Sequence, residues 1–322
     1  MTASFATDST PVVHTLYGQT MGTRWRVDLC APRNRPLEPL HASVQARLDT
    51  IVAQMSSWEP GSDLTRYNRA PAGSWQTLPD DFFRVIDCAL EVAAASDGAF
   101  DPTVGALVSA WGFGAQARAR AVPDDAALER ARERSGWRRL RLDRDARALW
   151  QPGGLALDLS AIAKGYGVDA VVAALRANGI GAALVDVGGE LRGYGRKPDG
   201  APWRVLVESG ELDEDVPCVV ALDDAAIATS GPYWQRYEVA GIEHSHTIDP
   251  RSGRPVADPP AAVSVVAASA MLADAWSTAL GVMGLDAGAA FAATTGLAAR
   301  LLPRGVDADP RTSPAFQAHL AQ

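Results

Sequence analysis

The chain of 322 residues lacks paired cysteines and any excess of positive charge. Its three cysteines are far apart, odd in number and without a CxxC pair, which excludes a disulfide framework and a cysteine-based zinc site. Acidic residues outnumber basic ones by 38 to 30, for a formal net charge of −8. Because a nucleic-acid surface needs a positive field facing the phosphates, we predict no nucleic-acid partner.

Long apolar runs are also absent. The longest, residues 261–273, ends at Asp274 and is too short to span a bilayer. The opening MTASFATDSTPVVHT lacks the basic start and the apolar core of a secretory signal. We therefore expect no intrinsic membrane segment and a cytoplasmic protein. A hydrophobic content of 47% is still enough to build a well-buried core.

The periodicity of apolar residues indicates helices and strands mixed along the chain, with no internal repeat or low-complexity linker. This pattern predicts a single α+β domain. We expect a flexible lead over residues 1–14 and a C-terminal tail over residues 306–322. The predicted helices cover residues 40–55, 81–96, 124–135, about 161–177 and 269–281, and the predicted strands cover 25–29, 182–187, 203–208, 218–222 and 225–229.

The stretch ALDLSAIAKGYG, which starts at Ala156, places charged residues and glycines in an apolar setting. Residues 150–159, with Pro-Gly-Gly at their centre, predict a hairpin that leads into a helix near Ala161. The polar residues Asp158 and Lys164 could simply face water. Alternatively, the helix start is a ligand site, because its backbone groups are free to bind and its two glycines, which cost about 1 kcal/mol each, allow close approach.

Asp274 and Thr278 are four residues apart in the predicted helix SAMLADAWSTAL, so a carboxylate and a hydroxyl share one helical face. Both are hard oxygen donors that would be costly to bury alone, and Mg²⁺ is a suitable partner. The alternative is that Thr278 donates a hydrogen bond back into its own helix.

His244 and His246 lie on one side of the chain if HSH is a strand, so a zinc hydrolase site is conceivable. The chain has only five histidines and no HExxH motif, and His246, beside an Asp-Pro turn, could be a base or a ligand. The run GFGAQA at residues 112–117 matches GxGxxA. No strand is predicted before it, so we do not interpret it as a dinucleotide site.

Eight motifs together resemble, in order and spacing, the ApbE family of FAD:protein FMN transferases over about residues 15–285. The resemblance implies an α+β, T-fold-like domain of ApbE type over residues 15–305, with FAD bound between two lobes. The motifs are MGTRW at Met21, MSSWEPGSDLTRYN at Met55, GAFDPTVGALVSAWGFG at Gly98, LDLSAIAKGYGVD at Leu157, VDVGGE at Val185, ATSG at Ala228, HSHTIDPRSGRPV at His244 and ADAWSTAL at Ala273.

The resemblance also implies which residues form the site. Mg²⁺ would be bound by Asp274, Thr278 and the backbone carbonyl of Ala161. Many relatives are exported lipoproteins, whereas Cys30 lies after MGT, where it cannot serve as the lipid-bearing cysteine. The implied FAD-binding residues are Met21, Trp58, Ala99, Phe100, Asp101, Asp158, Lys164 and Thr247, the last of them next to His246.

The implied reaction transfers FMN to a protein. A Ser or Thr hydroxyl of an acceptor flavoprotein attacks the phosphorus on the FMN side of FAD, and AMP leaves. His246 is the candidate general base for that hydroxyl. Two alternatives use the same site, namely Mg²⁺-dependent hydrolysis of FAD to FMN and AMP, and flavin binding without turnover.

Overall fold

The computed structural model describes residues 10–115, 120–209, 217–305 and 309–321. No helix of these residues is long and apolar enough to cross a bilayer. The strands are β1 (Pro11–Thr20), β2 (Thr23–Pro32), β3 (Ser74–Thr77), β4 (Leu142–Asp143), β5 (Ala148–Gln151), β6 (Ala183–Val187), β7 (Glu190–Tyr194), β8 (Trp203–Leu206), β9 (Val219–Leu222), β10 (Ala225–Ser230), β11 (Arg236–Val239), β12 (Ile242–Ser245), β13 (Ile248–Asp249), β14 (Arg254–Pro255), β15 (Ala262–Ala267), β16 (Ala298–Leu302) and β17 (Arg311–Thr312). The helices are α1 (Glu38–Met55), α2 (Asp63–Asn68), α3 (Asp80–Ala95), α4 (Gly105–Ala110), α5 (Asp125–Arg132), α6 (Ala163–Ala177), α7 (Ala270–Met283), α8 (Leu285–Thr295) and α9 (Pro314–Gln317).

Eight strands form one antiparallel sheet in the order β1-β2-β6-β7-β10-β15-β16-β17. Helices α1, α6, α7 and α8 pack on one face of this sheet. Successive residues of a strand face opposite sides, so Ala226 of β10 joins the core under the helices while Ile227 points to the other face. There Ile227 belongs to a second core with the β8-β9 pair and Phe316 of α9. The sheet therefore has cores on both faces.

Strand β1 forms one edge of the sheet and joins β2 through the two-residue turn Met21-Gly22. Both turn residues have positive φ, 49° and 71°, as type I′ hairpin turns require. None of the ten residues of β1 is Asp, Glu, Lys or Arg. The Tyr17 and Gln19 carbonyls accept hydrogen bonds of 3.1 Å from the side chains of His41 and Gln45 on α1. Helix α1 thus satisfies two acceptors on the edge strand.

A further core lies on the other side of α6 and α7, where α1, α3 and the small sheet β3-β5-β4 pack together. A polar link holds three of these helices. Arg47 of α1 donates hydrogen bonds of 2.5 and 2.6 Å to the carboxylate of Asp81 on α3. The hydroxyl of Tyr166 on α6 donates to the same carboxylate at 2.5 Å. This link joins α1, α3 and α6 through one carboxylate.

The long predicted helices at 40–55, 81–96, 124–135, 161–177 and 269–281 are confirmed as α1, α3, α5, α6 and α7, with small differences at their ends. The hairpin predicted over residues 150–159 is wrong, because β5 ends at Gln151. The side chain of Gln151 accepts hydrogen bonds from the N–H groups of Gly153 and Leu155 and donates to the Leu155 carbonyl. These bonds replace a strand ladder, so residues 155–159 form a loop.

The two ends of the described chain belong to the sheet. Strand β1 begins at Pro11, inside the segment expected to be a flexible lead. The segment expected to be a C-terminal tail contains β17, which pairs with β16, and α9. The side chain of Phe316 is fully buried. The burial of Phe316 depends on strands far away in sequence, among them β8 and β9.

Candidate active site

Helices α6 and α7 cross at Gly165, where their backbones are in contact. A Cβ atom on Gly165 would lie 2.2 Å from the Ala270 carbonyl oxygen and 2.8 Å from Cβ of Asp274, so only glycine fits. The Gly165 N–H donates a hydrogen bond of 3.0 Å to Oδ2 of Asp274, a residue that is 3% exposed. The glycine in the apolar stretch therefore brings the start of α6 to a buried carboxylate of α7.

The same hydrogen bond changes the role of the Ala161 carbonyl. In an α-helix the N–H of residue 165 would donate to the carbonyl of residue 161, as the Tyr166 N–H donates to Ile162 at 3.0 Å. The Gly165 N–H points to Asp274 instead. The Ala161 carbonyl is thus left without this helical donor, at the end of α6 that approaches Asp274.

Thr278 lies one helical turn after Asp274 and belongs to a row of hydroxyl groups. Its Oγ1 is 3.1 Å from Oγ of Ser230 on β10, which is 2.8 Å from Oγ of Ser277. A bond back into the helix is made by Ser277, which donates to the Asp274 carbonyl at 2.8 Å. Carboxylate, hydroxyl and carbonyl oxygens are the donors that Mg²⁺ prefers, so Asp274, Thr278 and Ala161 fit this ion.

Lys164, in the first turn of α6, forms an ion pair with Glu190, the first residue of β7. Burial alone would lower the pKa of Lys164, but the carboxylates of Glu190, Asp274 and Glu208 outweigh burial and raise that pKa. Burial raises the pKa of Glu190, with the Lys164 ammonium opposing the shift and Asp274 adding to it. A protonated amine therefore lies among buried acids.

His246 follows β12 and is held by the carbonyl of Gln235. The backbone N–H of His246 lies 3.0 Å and its Nδ1 lies 3.1 Å from that oxygen. Since a carbonyl only accepts, Nδ1 carries the proton and Nε2 keeps a free lone pair. Burial lowers the pKa of His246, and the nearby Lys164 ammonium lowers it further. The hydrogen bond to Gln235 and the carboxylate of Asp158 oppose this shift, but the pKa stays below its usual value. His246 is therefore neutral at neutral pH.

Asp158 lies in the loop before α6, not at the end of a strand as the predicted hairpin required. Its Oδ1 accepts a hydrogen bond of 2.8 Å from the Ser160 N–H, and its own N–H donates to the Pro102 carbonyl at 2.9 Å. The carboxylate is close enough to His246 to raise the pKa of that ring. Asp158 thus connects the loop before α6 to Pro102, which directly follows the predicted FAD residues 99–101.

The side chains of Ala99, Phe100 and Asp101 are buried. The carboxylate of Asp101 accepts hydrogen bonds from the N–H and hydroxyl of Thr103, at 2.7 and 2.6 Å, and from the Trp137 N–H at 3.1 Å. Burial raises the pKa of Asp101, and these hydrogen bonds oppose the shift. The backbone N–H groups of Ala99 and Phe100 both donate to Ser96 at 3.1 Å, so the protein itself fixes the course of this segment.

The remaining predicted FAD residues are Met21, Thr247 and Trp58. The Met21 side chain reaches α6, where its Cε would lie 3.3 Å from a Cβ atom on Gly167. Thr247 follows His246, and its carbonyl accepts a hydrogen bond of 3.0 Å from the Val256 N–H. Trp58 lies between α1 and α2 and is 68% exposed. Within the described ranges, no hydrogen bond or ring contact joins Trp58 to the groups around Lys164.

The two remaining motifs are HSH at residues 244–246 and GFGAQA at residues 112–117. The ring of His244 packs against Trp111 and Tyr237, with centroid distances of 5.3 and 5.4 Å. In the part of the chain that the structure describes, no group of three or more His, Cys, Asp or Glu side chains could hold a metal ion. Gly112 and Gly114 of GFGAQA follow helix α4, and residues 116 and 117 lie outside the described residues.

Sequence reasoning missed several polar residues of this site. Glu190 lies in VDVGGE and Ser230 in ATSG, so both belong to motifs that carry the resemblance, but their sequence positions do not show what they contact. Glu208 lies in none of the motifs. It accepts a hydrogen bond of 3.0 Å from the Tyr233 hydroxyl and acts on the pKa of Lys164. Only the fold brings it there.

Known proteins of one family are similar to this chain over most of its length. The model of the ApbE family matches residues 21–301. The FAD:protein FMN transferase of Vibrio cholerae is 36% identical over 279 residues, 86% of this chain and 83% of the relative. That of Escherichia coli K12 is 31% identical over 313 residues, 96% of this chain and 89% of the relative.

Solved structures also match the fold of this chain. The apo form of the flavinyl transferase ApbE from Pseudomonas stutzeri matches with a TM-score of 0.88 and 37% identity, covering 97% of this chain and 98% of that one. The flavin transferase ApbE from Vibrio cholerae matches with a TM-score of 0.87 and 33% identity, covering 96% and 100%. These matches confirm the expected α+β fold, and the chain belongs to the ApbE family.

Proposed function

We propose that this chain is a Mg²⁺-dependent FAD:protein FMN transferase, which attaches FMN from FAD to a Ser or Thr hydroxyl of an acceptor flavoprotein. The observation that carries the proposal is the convergence of Lys164, Asp274 and His246, which come from three separate parts of the chain. A cation, a buried carboxylate and a neutral imidazole are the groups that phosphoryl transfer to a hydroxyl requires. The relatives named above are FAD:protein FMN transferases.

The diphosphate of FAD is the part of the substrate that fits the start of α6. The Lys164 side chain is 32% exposed, so its ammonium can meet a phosphate while Glu190 holds it from the inside. Asp274, Thr278 and the Ala161 carbonyl would hold Mg²⁺, which would supply charge neutralisation at the phosphate oxygens.

The transfer step forms one phosphorus–oxygen bond and breaks another. Nε2 of His246 takes the proton of the acceptor hydroxyl as that oxygen attacks the phosphorus on the FMN side. The bond from this phosphorus to the bridging oxygen of the diphosphate breaks, and AMP leaves with that oxygen. The fixed ammonium of Lys164 stabilises the negative charge that moves onto the leaving phosphate. The products are a phosphoester-linked flavoprotein and AMP.

The test combines the purified protein with FAD, Mg²⁺ and the flavoproteins encoded beside its gene. AMP is measured by chromatography, and covalent flavin by fluorescence after denaturing electrophoresis. We expect AMP and protein-bound flavin in equal amounts, with only slow AMP release when the acceptor is omitted. Asp274→Ala should remove the magnesium-dependent reaction while the protein still folds.

Two other results would replace this function. Rapid AMP release without acceptor, and no flavin on any partner, would mean that water is the nucleophile and that the chain hydrolyses FAD. Tight FAD binding with no AMP under any condition would mean a flavin-binding protein without turnover.

A further inference from the structure

The ion pair between Lys164 and Glu190 is uneven in its exposure. The side chain of Glu190 is 4% exposed and that of Lys164 is 32% exposed. Among the described residues, the buried Oε2 of Glu190 has no hydrogen-bond partner. Burying a carboxylate with so few partners is costly, and apolar replacements of buried ion pairs are often no less stable. Stability alone therefore does not account for Glu190.

The backbone places Glu190 firmly. The turn before it, Gly188-Gly189, has φ values of 65° and 100°, which favour glycine. A Cβ atom on Gly188 would lie 2.7 Å from Cγ2 of Thr23, so the turn is seated against β2. Glu190 then pairs with Val187 across the β6-β7 hairpin. The carboxylate is thus attached to a fixed point of the large sheet.

Lys164 has two buried carboxylates near it. It pairs with Glu190, while burial raises the pKa of Asp274 and the Lys164 ammonium opposes that shift. Asp274 receives the Gly165 N–H on Oδ2, and Gly165 is the residue next to Lys164. If the ammonium moved to Asp274, it would take an oxygen that a metal ion needs, because cation and metal would compete for the same carboxylate.

We propose that Glu190 is a positioning residue that holds the Lys164 ammonium away from Asp274. The Asp274 carboxylate then stays available to Mg²⁺, and the exposed side of the ammonium faces the FAD diphosphate. The identity of these two ligands rests on the proposed function. The assignment of one carboxylate to the lysine and the other to the metal rests on the contacts of this chain.

The test measures metal affinity directly, with Mn²⁺ as the probe and no FAD present. Electron paramagnetic resonance of free Mn²⁺ gives the dissociation constant for each variant. Glu190→Gln should weaken Mn²⁺ binding about 10–100-fold, the usual effect of removing a residue that orients a metal ligand. Adding Lys164→Met to Glu190→Gln should restore most of the affinity, because the competing ammonium is then gone.

Asp81→Asn is the matched control. It removes the carboxylate of the partly buried Arg47–Asp81 pair, which also contacts α6 through Tyr166. We expect it to lower the free energy of unfolding and to leave Mn²⁺ affinity unchanged.

Each result decides the matter. Parent-like Mn²⁺ affinity in Glu190→Gln overturns the proposal. So does a loss that Lys164→Met fails to rescue, because Glu190 would then merely support the fold. If the parent protein itself binds no Mn²⁺, the metal assignment of the proposed function fails first, and the role of Glu190 fails with it.

Discussion

His246 illustrates how one backbone contact can set the chemistry of a residue. The Gln235 carbonyl accepts a hydrogen bond from Nδ1–H, so the proton stays on Nδ1 and Nε2 is the basic atom. We expect His246→Ala to slow single-turnover transfer about 10²–10⁴-fold at saturating FAD and Mg²⁺, with FAD affinity near that of the parent. Fluorescence quenching measures the affinity on the same preparation. Recovery of the full rate at saturation would identify His246 as a binding residue instead.

The pH dependence of transfer follows from the same ring. Neutral imidazole is the active form, and burial lowers the pKa of His246 in the folded protein. The rate should therefore stay constant above this lowered pKa and fall only as the pH drops through it, below the ordinary histidine value of about 6.5. Single-turnover rates measured across pH check this. His246→Ala should lack this acid limb, and an unchanged limb would assign it to another group.

How far the sequence predicts single residues depends on what the prediction needs. The four-residue spacing of Asp274 and Thr278 was enough to suggest a metal pair, because helix geometry is local. The partner of Lys164 could not be found in this way. Glu190 lies on a strand 26 positions away, and only the packing of α6 on the sheet brings the two side chains together.

The crossing of α6 and α7 at Gly165 matters at the scale of whole elements. Gly165→Ala would force Cβ into the Ala270 carbonyl, so the helices must separate. We expect the free energy of unfolding to fall by roughly 1–3 kcal/mol. Mn²⁺ affinity should fall as well, because the crossing holds Asp274 beside the start of α6. Chemical denaturation and the Mn²⁺ assay measure the two effects.

Gly281 provides the matched comparison within α7. A Cβ atom there would meet only Cγ2 of Val263, at 3.8 Å. Gly281→Ala should therefore leave stability unchanged or raise it by up to about 1 kcal/mol, as alanine does in a helix interior. Equal losses in the two variants would mean that helix contact at Gly165 is unimportant.

Elements were predictable where their own residues determine them. Strongly periodic stretches such as α3 and α7 were found. Helix α8 was missed because its residues are mostly alanine, glycine and threonine, which give little apolar periodicity. The hairpin at residues 150–159 failed for another reason. The Gln151 side chain satisfies backbone groups that a hairpin would have paired, and no pattern of apolar residues reveals such a contact.

At the scale of the molecule, the class of fold was predictable but the strand order was not. Strand β2 pairs with β6 although α1 to α5 lie between them in the chain, and β17 joins the sheet from the C-terminal end. Such pairings depend on distant segments meeting, which local patterns do not encode. The site is assembled from the same distant parts, since β7, α6, α7 and the segment after β12 each supply at least one group.

The uncharged edge of the large sheet has a consequence for how the protein behaves at high concentration. Edge strands without charge are templates for aggregation, and α1 occupies only the Tyr17 and Gln19 carbonyls of β1. Val13, which is 44% exposed, lies beyond them. Val13→Lys should reduce light scattering on heating and change stability by no more than about 0.5 kcal/mol. The control is Val122→Lys, which changes an equally exposed valine outside β1 and should not reduce scattering. A reduction in the first variant alone would show that intermolecular growth begins at β1.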